Sequence, residues 1–514
     1  MGEHWMVRKG EVRSDKGLVA CQNGLAAEAG AAVLSRGGNA MDAAVTTALT
    51  LSVVEPWLSG IGGGGFLLHA DGSTGAVDTL DFNVDSSRNI DIADYPLVEG
   101  RDGDWFDWPS VKDDRNLIGY HSICVPGAIA GLAEALERFG TISFAEALQP
   151  AIEHARRGLV VDWFTVLCLA IDAEGLGRFP ASAGLFLKNG RAPRVPETGT
   201  VRTIPMPRKA AMLERLASAG ARDFYEGEVA ASIIADLQAG GSAIDAGELA
   251  AYAPVWRESL RTDFHGLTVH SMSGLSGGPT LAAALRELAR ALPEGEPLSG
   301  QAALSFARAI RRASEHRLRT LGHANGDSCT THLSVVDKNG TMVSLTNTLL
   351  SRFGSKVVLP STDMLMNNGM MWFDPRPGQP NAIAPGVRPL ANMSPIIATD
   401  SEGPRLALGA AGGRQIVGAI TQIFAYVAAY GMSLEEAFHA PRLDASGVRL
   451  RVNRKAQADV ATRLGDEFPI EIVEDTLYPV NFAIPSAVLR DGVENVGMAH
   501  QNHPWAAVGV ESAS

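Results

Sequence analysis

The apolar and polar positions of the first sixty residues predict two consecutive helices. An alanine-rich run from Leu25 to Leu34 is followed by a basic residue and then by Gly37-Gly38, which is typical of a helix C-terminus. Asn39 then caps a second helix that runs from Ala40 to about Val54. Since this second helix is apolar nearly all round, the pattern predicts that it is buried.

A glycine run follows the second helix and matches a nucleotide-binding spacing. Gly60, Gly62 and Gly65 satisfy GxGxxG, which binds dinucleotides when a strand precedes it and a helix follows. Here the order is reversed, because a helix precedes the run and the strand-like Phe66–Ala70 follows it. The run is therefore predicted to let backbone segments approach each other closely, and nucleotide binding is not expected.

Alternating polar and apolar residues predict a hairpin in the second half of the chain. His332–Asp337 and Met342–Thr348 are the two strands, and Lys338-Asn339-Gly340 is the turn, with Asn-Gly as a strong hairpin signal. In this hairpin Thr348 can face Thr330 across the strand pair.

Composition and charge exclude several classes of protein. The chain has 514 residues, of which 46% are apolar and 20% charged, so a large core is expected. Lys and Arg total 44 against 57 acidic residues, and the net charge of −13 argues against nucleic-acid binding. The N-terminal residues lack the apolar stretch of a signal peptide, and the longest apolar runs are interrupted by polar residues. We therefore expect a cytoplasmic protein with no membrane span.

The cysteines and the C-terminal histidines predict no metal site. Cys21, Cys124, Cys168 and Cys329 are scattered with no CxxC spacing, which indicates neither a zinc ribbon nor a disulfide framework. The His500-x-x-His503 pair lacks a third ligand in the sequence. No metal is expected.

Thr330 is a candidate nucleophile if it begins a chain. A threonine hydroxyl needs an adjacent base, and an N-terminal threonine can use its own α-amine, whose pKa is roughly 7.7–8.0. That requirement implies cleavage of the Cys329–Thr330 bond. The preceding polar segment, 322–328, is one in which a chain break would be tolerated. Without cleavage the segment is a strand with a hydroxyl-rich start, which is the commoner case.

Ser276 is the competing nucleophile. It lies in Gly274–Gly278, a GxSxG motif between a predicted strand, Leu267–Met272, and a predicted helix from Pro279 to about Ala291. This is the strand–turn–helix context of a nucleophile elbow. Histidines that could serve as its base follow in the sequence, and they are His332, His439, His500 and His503. A serine hydrolase therefore stays open as an alternative.

Gly412 and Gly413 are candidates for an oxyanion hole. They lie between a predicted strand, Arg405–Leu408, and a predicted helix, Gln415–Tyr430. A glycine pair at a helix N-terminus directs free N–H groups outward, which suits a developing oxyanion. The pair is not a phosphate loop, because no Lys-Ser/Thr follows it.

Taken together, the motifs resemble those of the γ-glutamyltransferase (γ-glutamyltranspeptidase) family. The matching segments are Leu34–Ala44, Val54–Pro56 and Ser59–Gly65 of the family's large subunit, and Thr330–Asp337, Pro385–Leu390, Gly412-Gly413 and Ala440–Arg442 of its small subunit. The likeness covers nearly the whole chain, in order and at family spacing.

This resemblance implies a fold and a mechanism. The fold would be the α+β class, an αββα four-layer sandwich of the N-terminal-nucleophile hydrolases. Self-cleavage would yield a large subunit, 1–329, and a small subunit, 330–514, intertwined in one domain. Thr330 would attack the carbonyl of Cys329, Thr348 would hydrogen-bond the nucleophile, and Gly412 and Gly413 would form the oxyanion hole. No cofactor is implied, and a homodimer is compatible with the resemblance.

The residues that hold the γ-glutamyl group in the family are altered here. The family's Phe-Arg-Glu triplet reads Phe82-Asn83-Val84, so the arginine that binds the α-carboxylate is replaced by Asn83. An aspartate and an asparagine that bind the α-amine correspond to Trp372 and Leu350, and the family's Ser-Ser pair corresponds to Ala391-Asn392. These five residues are the predicted substrate-binding positions.

The altered clamp indicates a small-molecule amide other than glutathione. The segments Asn367–Pro375, Thr348–Ser351 and Trp108-Pro109 are more similar to the family's branch that includes oxamate amidohydrolase and cephalosporin-acylase-like members. Cleavage of a small acyl amide is therefore the expected reaction, and a true γ-glutamyl hydrolase or transpeptidase is the alternative. Candidate replacements for the missing arginine are Arg352, Arg414 and Arg88.

Overall fold

The computed structural model of the chain describes residues 7–101, 108–195, 197–317, 320–321, 329–478 and 480–512. For residues 329 and 330 it describes the backbone alone. Every structural statement below concerns these residues.

Helices make up the two outer layers. In chain order they are α1 (Gly24–Ser35), α2 (Ala40–Val54), α3 (Ala128–Phe139), α4 (Phe144–Arg157), α5 (Trp163–Ile171), α6 (Ala173–Gly177), α7 (Pro180–Phe186), α8 (Pro207–Ala219), α9 (Asp223–Glu226), α10 (Glu228–Ala239), α11 (Ala246–Ala251), α12 (Gly278–Ala291), α13 (Gly300–Arg317), α14 (Gln415–Tyr430), α15 (Leu434–His439) and α16 (Ala458–Gly465).

Strands make up the two inner layers and several small sheets. In chain order they are β1 (Val12–Ser14), β2 (Leu18–Cys21), β3 (Gly64–Ala70), β4 (Val77–Phe82), β5 (Leu97–Arg101), β6 (Pro109–Val111), β7 (Leu159–Val161), β8 (Arg202–Ile204), β9 (Val255–Arg257), β10 (Leu260–Phe264), β11 (Leu267–Ser271), β12 (Cys329–Val336), β13 (Met342–Leu350), β14 (Val358–Leu359), β15 (Met364–Leu365), β16 (Ile396–Asp400), β17 (Gly403–Ala411), β18 (Leu443–Asp444), β19 (Leu450–Asn453), β20 (Ile470–Val473), β21 (Ile484–Asp491), β22 (Glu494–Ala499) and β23 (Ala507–Val510).

Two seven-stranded sheets form the centre of the molecule. The first has the order β1-β22-β21-β17-β16-β11-β10, and the second has the order β23-β2-β12-β13-β3-β4-β9. Neighbouring strands in both sheets are antiparallel. One apolar cluster joins the second sheet to α1, α2, α4 and α5, and another joins the first sheet to α12, α13 and α14. A smaller cluster lies between the sheets. The predicted αββα sandwich is confirmed.

The predicted second helix shows how local sequence sets an element. Asn39 accepts hydrogen bonds from the N–H groups of Met41 and Asp42, and the Asp42 carboxylate accepts the Asn39 N–H in return. All residues of α2 are buried, as its apolar pattern predicts. The Asp42 carboxylate also accepts bonds from Thr141, which ties the start of α2 to the loop before α4.

The sequence regions 1–329 and 330–514 contribute strands to both large sheets. In the second sheet, β2 comes from the first region and lies between β23 and β12 of the second region. In the first sheet, β1, β10 and β11 flank four strands from the second region. Both large sheets are therefore built from strands of both regions.

The glycine run packs backbone against backbone. A Cβ at Gly63 would lie 1.9 Å from the carbonyl oxygen of Thr348, and one at Gly65 would lie 2.0 Å from that of Thr346. A Cβ at Gly62 would lie 2.3 Å from the carbonyl oxygen of Leu365. The prediction of close backbone approach is confirmed. Among the described residues, none of the helices has both the length and the hydropathy needed to cross a membrane.

Substituting Gly63 tests this packing. We expect Gly63→Ala to lower the midpoint of thermal unfolding, because overpacking costs about 1–3 kcal/mol and the contact here is with backbone rather than with a flexible side chain. The matched control is Gly184→Ala in α7, where an added Cβ would meet no atom within 4 Å. That control should be neutral or stabilising. Equal midpoints for the two variants would contradict the packing argument.

Candidate active site

The predicted nucleophile lies at the start of β12. The backbone of Cys329 and Thr330 opens this strand, while their side chains, and all of 322–328, lie outside the described residues. Cys329 pairs with Leu350 and Thr331 with Asn347, with an irregularity between these two pairs. Thr348 therefore lies on the stretch of β13 that is opposite Thr330 in the ladder.

The Thr348 hydroxyl has a fixed orientation. It is fully buried, and its Oγ1 accepts the N–H of Leu350 at 2.8 Å. The N–H of Thr348 itself is bonded to the side-chain oxygen of Asn347 at 3.1 Å. The hydroxyl oxygen is thereby held in place by a backbone N–H group.

Two asparagines that the sequence interpretation did not single out hold the chain after β13. Asn368 accepts the N–H of Ser351 at 3.0 Å, and its own N–H bonds the carbonyl of Leu349 at 3.2 Å. Asn367 bonds the carbonyls of Gly62 and Cys124, each at 2.8 Å. The turn-forming residues Asn367-Asn368-Gly369 are visible in the sequence. The groups that Asn367 bonds are far away along the chain, so its role could not be predicted from the sequence.

The predicted oxyanion glycines adopt conformations that favour glycine. Gly412 has φ +134° and Gly413 has φ +59°, and a Cβ at Gly412 would lie 2.7 Å from the Cα of Ala483. Their carbonyls accept the first N–H groups of α14, from Gln415 and Ile416. Among the described residues, the N–H groups of the two glycines have no hydrogen-bond acceptor. Their chemistry therefore suits the stabilisation of an oxyanion.

A contact between the sheets relates these glycines to β12. A Cβ at Gly409 of β17 would lie 2.4 Å from the ring of His332 of β12, so the two strands face each other there. Two residues further along β12, Ser334 pairs with Ser344, whose hydroxyl donates to the carbonyl of Leu408. From Leu408 to Gly409, β17 therefore runs in the direction that leads back along β12 towards Thr330. Gly412 therefore lies towards the end of the sandwich at which β12 begins.

His332 is a structural residue between the sheets. Its Nδ1 is 3.0 Å from the hydroxyl of Thr346 and its Nε2 is 2.9 Å from that of Ser334. Burial lowers the pKa of His332 to about 3. The ring is therefore neutral at physiological pH, and both of its nitrogens are engaged by hydroxyl groups.

The Ser276 hydroxyl is engaged in local structure as well. It is fully buried and donates to the carbonyl of Met272 at 2.8 Å, while it accepts the N–H of Gly278 at 3.1 Å. Among the described residues, no histidine is hydrogen-bonded to it. A nucleophile elbow requires an exposed hydroxyl with a base, so the geometry does not support the serine-hydrolase alternative.

Three of the five predicted substrate-binding residues share one apolar cluster. Leu350, Trp372 and Ala391 are at most 1% exposed and pack with Phe66, Val84, Trp108, Met272, Met370 and Met393. This cluster is closed, and the side chains fill the place in which the family resemblance expects polar groups. The members of this cluster are apolar, and the buried guanidinium of Arg317 lies at its border, where it bonds the carbonyl of Ala391.

The other two positions, Asn83 and Asn392, border this cluster. Asn83 donates to the carbonyl of Pro389 at 3.3 Å and accepts the N–H of Val84 at 2.9 Å. Asn392 accepts a bond from the guanidinium of Arg317 at 3.3 Å. All five predicted positions are thus neighbours in space, and both asparagine side chains are engaged by the chain itself.

Arg317 is a residue at this site that the sequence interpretation missed. It is buried at the end of α13 and donates to the carbonyls of Ser276 and Ala391, each at 2.6 Å. Burial lowers its pKa to about 9. Arg317 therefore fixes the end of α13 beside the predicted substrate-binding residues Ala391 and Asn392.

A second group of polar residues lies beneath the start of β12. Glu55 is fully buried, and its Oε1 is 3.3 Å from the Nε2 of His503, without the geometry of a hydrogen bond. Burial raises the pKa of Glu55, and His503 and the hydroxyl of Thr331 oppose that rise. Glu55 and His503 are 448 positions apart in sequence, so no local pattern could have paired them.

A cavity of about 520 Å³ opens beside Gly412. Its apolar wall includes Trp57, Phe164, Leu167 and Phe482, and His500 and His503 also line it. Of the three candidate replacements for the missing arginine, Arg352 lines this cavity, while Arg88 is exposed and Arg414 is next to Gly447. The cavity is within the size range of small-molecule sites.

Comparison with known proteins agrees with the resemblance found in the sequence. The family model described as Gamma-glutamyltranspeptidase matches residues 26–326 and 296–499. The acylase ACY 1 proenzyme of Pseudomonas sp. strain SE83 is 33% identical over 491 residues, which cover 87% of this chain and 86% of that protein. The glutathione hydrolase proenzyme of Escherichia coli K12 is 29% identical over 488 residues, which cover 84% and 81%.

A solved structure supports the fold. The cephalosporin acylase of Bacillus halodurans superposes with a TM-score of 0.86, and the match covers all of this chain and 99% of that one. The sequence identity is 24%, so this likeness concerns the fold.

The buried neutral His332 generates a pH prediction. The pKa of His332 in the folded chain, about 3, lies below the ordinary value of 6.5. As the pH falls below 6.5, the unfolded chain therefore takes up a proton at His332, whereas the folded chain does not. Its contribution to stability is complete above pH 6.5 and declines towards pH 3, by up to about 1.4 kcal/mol per pH unit. In thermal melts between pH 7 and pH 4.5, the midpoint of His332→Gln should fall less steeply than that of the unsubstituted chain. Parallel curves would contradict this assignment.

Proposed function

Because the chain belongs to the gamma-glutamyltranspeptidase family and is thereby an amide hydrolase, we propose that it processes itself and uses Thr330 as its N-terminal nucleophile. The observation that carries the proposal is the position of Thr330 at the start of a central strand, on the stretch that pairs with Thr348. Two of the relatives are named proenzymes, which supports a precursor that is cleaved.

Processing begins with the Thr330 hydroxyl. Its oxygen attacks the carbonyl of Cys329, the peptide C–N bond breaks, and an ester forms as the nitrogen becomes the α-amine of Thr330. Water hydrolyses the ester, so that Cys329 ends in a carboxylate and Thr330 regains its hydroxyl. The interleaving of strands from 1–329 and 330–514 in both sheets keeps the two fragments together as large and small subunits.

Turnover uses the same groups on an external amide. The α-amine of Thr330 accepts the hydroxyl proton as the oxygen attacks the substrate carbonyl, and Thr348 orients that hydroxyl. The N–H groups of Gly412 and Gly413 stabilise the oxyanion. The proton then passes to the departing amine as the amide C–N bond breaks. Water resolves the acyl-enzyme and releases a carboxylic acid.

The substrate is a small acyl amide other than a γ-glutamyl amide. Recognition of a γ-glutamyl group needs a cation for its carboxylate and an anion for its ammonium. The positions that supply them in the family carry Asn83, Leu350 and Trp372, and the last two are buried in an apolar cluster. Burial of an ammonium there without a counter-charge would be costly.

Denaturing mass spectrometry of purified protein tests the proposed nucleophile. The unsubstituted chain should yield two fragments, the smaller beginning at Thr330. Thr330→Ala should remain one chain and lose amide hydrolysis by a factor of at least about 10³, since the nucleophile is absent. The matched control is Ser276→Ala, which should still be cleaved. An intact unsubstituted chain after long incubation, or cleavage lost in Ser276→Ala with folding retained, would refute the proposal.

A panel of 4-nitroanilides tests the substrate class. Neutral and dicarboxylic acyl anilides should be hydrolysed with higher kcat/KM than the γ-glutamyl anilide, because the ammonium of the latter lacks a counter-charge. Exclusive turnover of the γ-glutamyl anilide would establish the glutathione-hydrolase alternative instead.

A further inference from the structure

We infer that the Glu55 carboxylate is the counter-charge of the α-ammonium group that self-cleavage creates at Thr330. Glu55 is thus a positioning residue, which acts through the amine and favours transfer of the hydroxyl proton to it. The inference rests on the proposed function, because this amine exists only after cleavage before Thr330.

The first step is the position of Glu55 along β12. Helix α2 begins at the far end of this strand, where the N–H of Ala40 donates to the carboxylate of Asp337 at 3.2 Å, and the helix packs against the strand. The 15 residues of α2 span about 22 Å, which is close to the length of about 25 Å of the eight-residue strand. Glu55 directly follows α2 and therefore lies near the level at which β12 begins.

The residues after Glu55 fix this level independently. The carbonyl of Leu58 accepts the N–H of Leu349 at 3.2 Å. Leu349 belongs to the stretch of β13 that pairs with the start of β12. The segment that begins with Glu55 therefore lies beside the part of the second sheet that contains the backbone nitrogen of Thr330.

The side chain of Thr331 is on the face of the sheet on which Glu55 lies. Side chains alternate along a strand, and His332 points between the sheets, where its ring faces Gly409. Leu333, which has the same orientation as Thr331, packs with α2. The hydroxyl of Thr331 also opposes the rise in the pKa of Glu55. The carboxylate is thus next to the residue that follows the scissile bond.

No arginine or lysine pairs with Glu55 among the described residues. Its carboxylate is fully buried, and neither oxygen has a hydrogen bond of good geometry in this part of the chain. The titratable groups that face it are the ring of His503, which is 3.3 Å away and charged only if protonated, and the thiol of Cys21 on β2. Burial raises the pKa of Cys21 to about 12, so the thiol is neutral. A cation beside Glu55 would therefore stabilise its ionised form.

Cleavage supplies such a cation. In the intact chain the nitrogen of Thr330 is a neutral amide, whereas the liberated α-amine has an ordinary pKa of roughly 7.7–8.0 and becomes positive when it is protonated. The same charge forms in each turnover, when the amine takes the hydroxyl proton of Thr330. A carboxylate near the amine stabilises the ammonium group in both cases.

The pH dependence of acetylation measures this amine directly. Cleaved protein is treated with a trace of acetic anhydride between pH 5 and pH 10, and mass spectrometry of the peptide that starts at Thr330 gives the midpoint of N-acetylation. We expect the midpoint in the folded chain to lie above that in the urea-unfolded chain, because Glu55 stabilises the ammonium. A folded midpoint at or below the unfolded one would overturn the inference, and this comparison needs no substituted chain.

Glu55→Gln removes the charge and keeps the size of the side chain. The variant should lower the folded midpoint by about one pH unit, and the acidic limb of the kcat/KM profile for the anilide that is hydrolysed fastest should shift in the same direction. The carboxylate that cleavage creates at Cys329 is unchanged in this variant, so the shift reports on Glu55. Glu55→Asp, which keeps the charge, should retain most of the unsubstituted midpoint.

The matched control is Glu28→Gln, the same substitution at an exposed position of α1, which should leave the midpoint unchanged. A merely structural role of Glu55 would lower kcat/KM in Glu55→Gln while the midpoint stays in place, and that result would contradict the inference. If Glu55→Gln is not cleaved, the comparison of the folded and unfolded unsubstituted chains decides.

The inference and the proposed function fail in different ways. An uncleaved unsubstituted chain yields no peptide that starts at Thr330, and this result refutes both. A cleaved chain that hydrolyses an anilide, but whose folded midpoint does not exceed the unfolded one, refutes the role of Glu55 and leaves the proposed function standing.

Discussion

The site depends on the unequal pairing of the two edges of β12. Along one edge β13 pairs with β12 from Cys329 onwards, whereas along the other edge the pairing with β2 begins only at Leu333. The first residues of β12 are therefore fixed by one neighbour and left without a strand on the other side. This arrangement suits the proposed cleavage before Thr330, because it defines the position of the bond while leaving one side without a neighbouring strand. The carboxylate of Glu55, 3.3 Å from His503, is also near the start of β12, because the hydroxyl of Thr331 opposes the rise in its pKa.

A polar layer between the sheets extends this fixed geometry to the opposite sheet. The ring of His332 bonds the hydroxyls of Ser334 and Thr346, and Ser344 donates to the carbonyl of Leu408. Buried polar groups that are satisfied define a unique arrangement, whereas apolar contacts alone tolerate sliding. The close contact of His332 with Gly409 sets the register of the two sheets, and with it the position of Gly412 and Gly413, the predicted oxyanion glycines, relative to β12.

Local elements could be predicted from the sequence, and non-local ones could not. The cap at Asn39 and the Asn339-Gly340 turn act over a few residues, and the structure has the predicted helix and hairpin. The strands β2 and β23 pair with each other although nearly 500 residues separate them, and no periodicity in either reveals its partner. The four-layer arrangement was therefore available only through the family resemblance. The cavity beside Gly412 could not be predicted for the same reason, because its lining residues come from distant segments of the chain.

Leu350 indicates how the site could change its substrate without losing its geometry. Its φ of +82° is in the left-handed region, which costs a leucine about 1–2 kcal/mol but suits asparagine, the residue that the family pattern has at this position. The conformation persists because Thr348 and Asn368 bond the N–H groups of Leu350 and Ser351. Full burial of the leucine side chain contributes about 1.5–3 kcal/mol, which offsets the strain. The hydrogen bonds thus retain the backbone conformation at this predicted substrate-binding position, while its side chain is part of an apolar core.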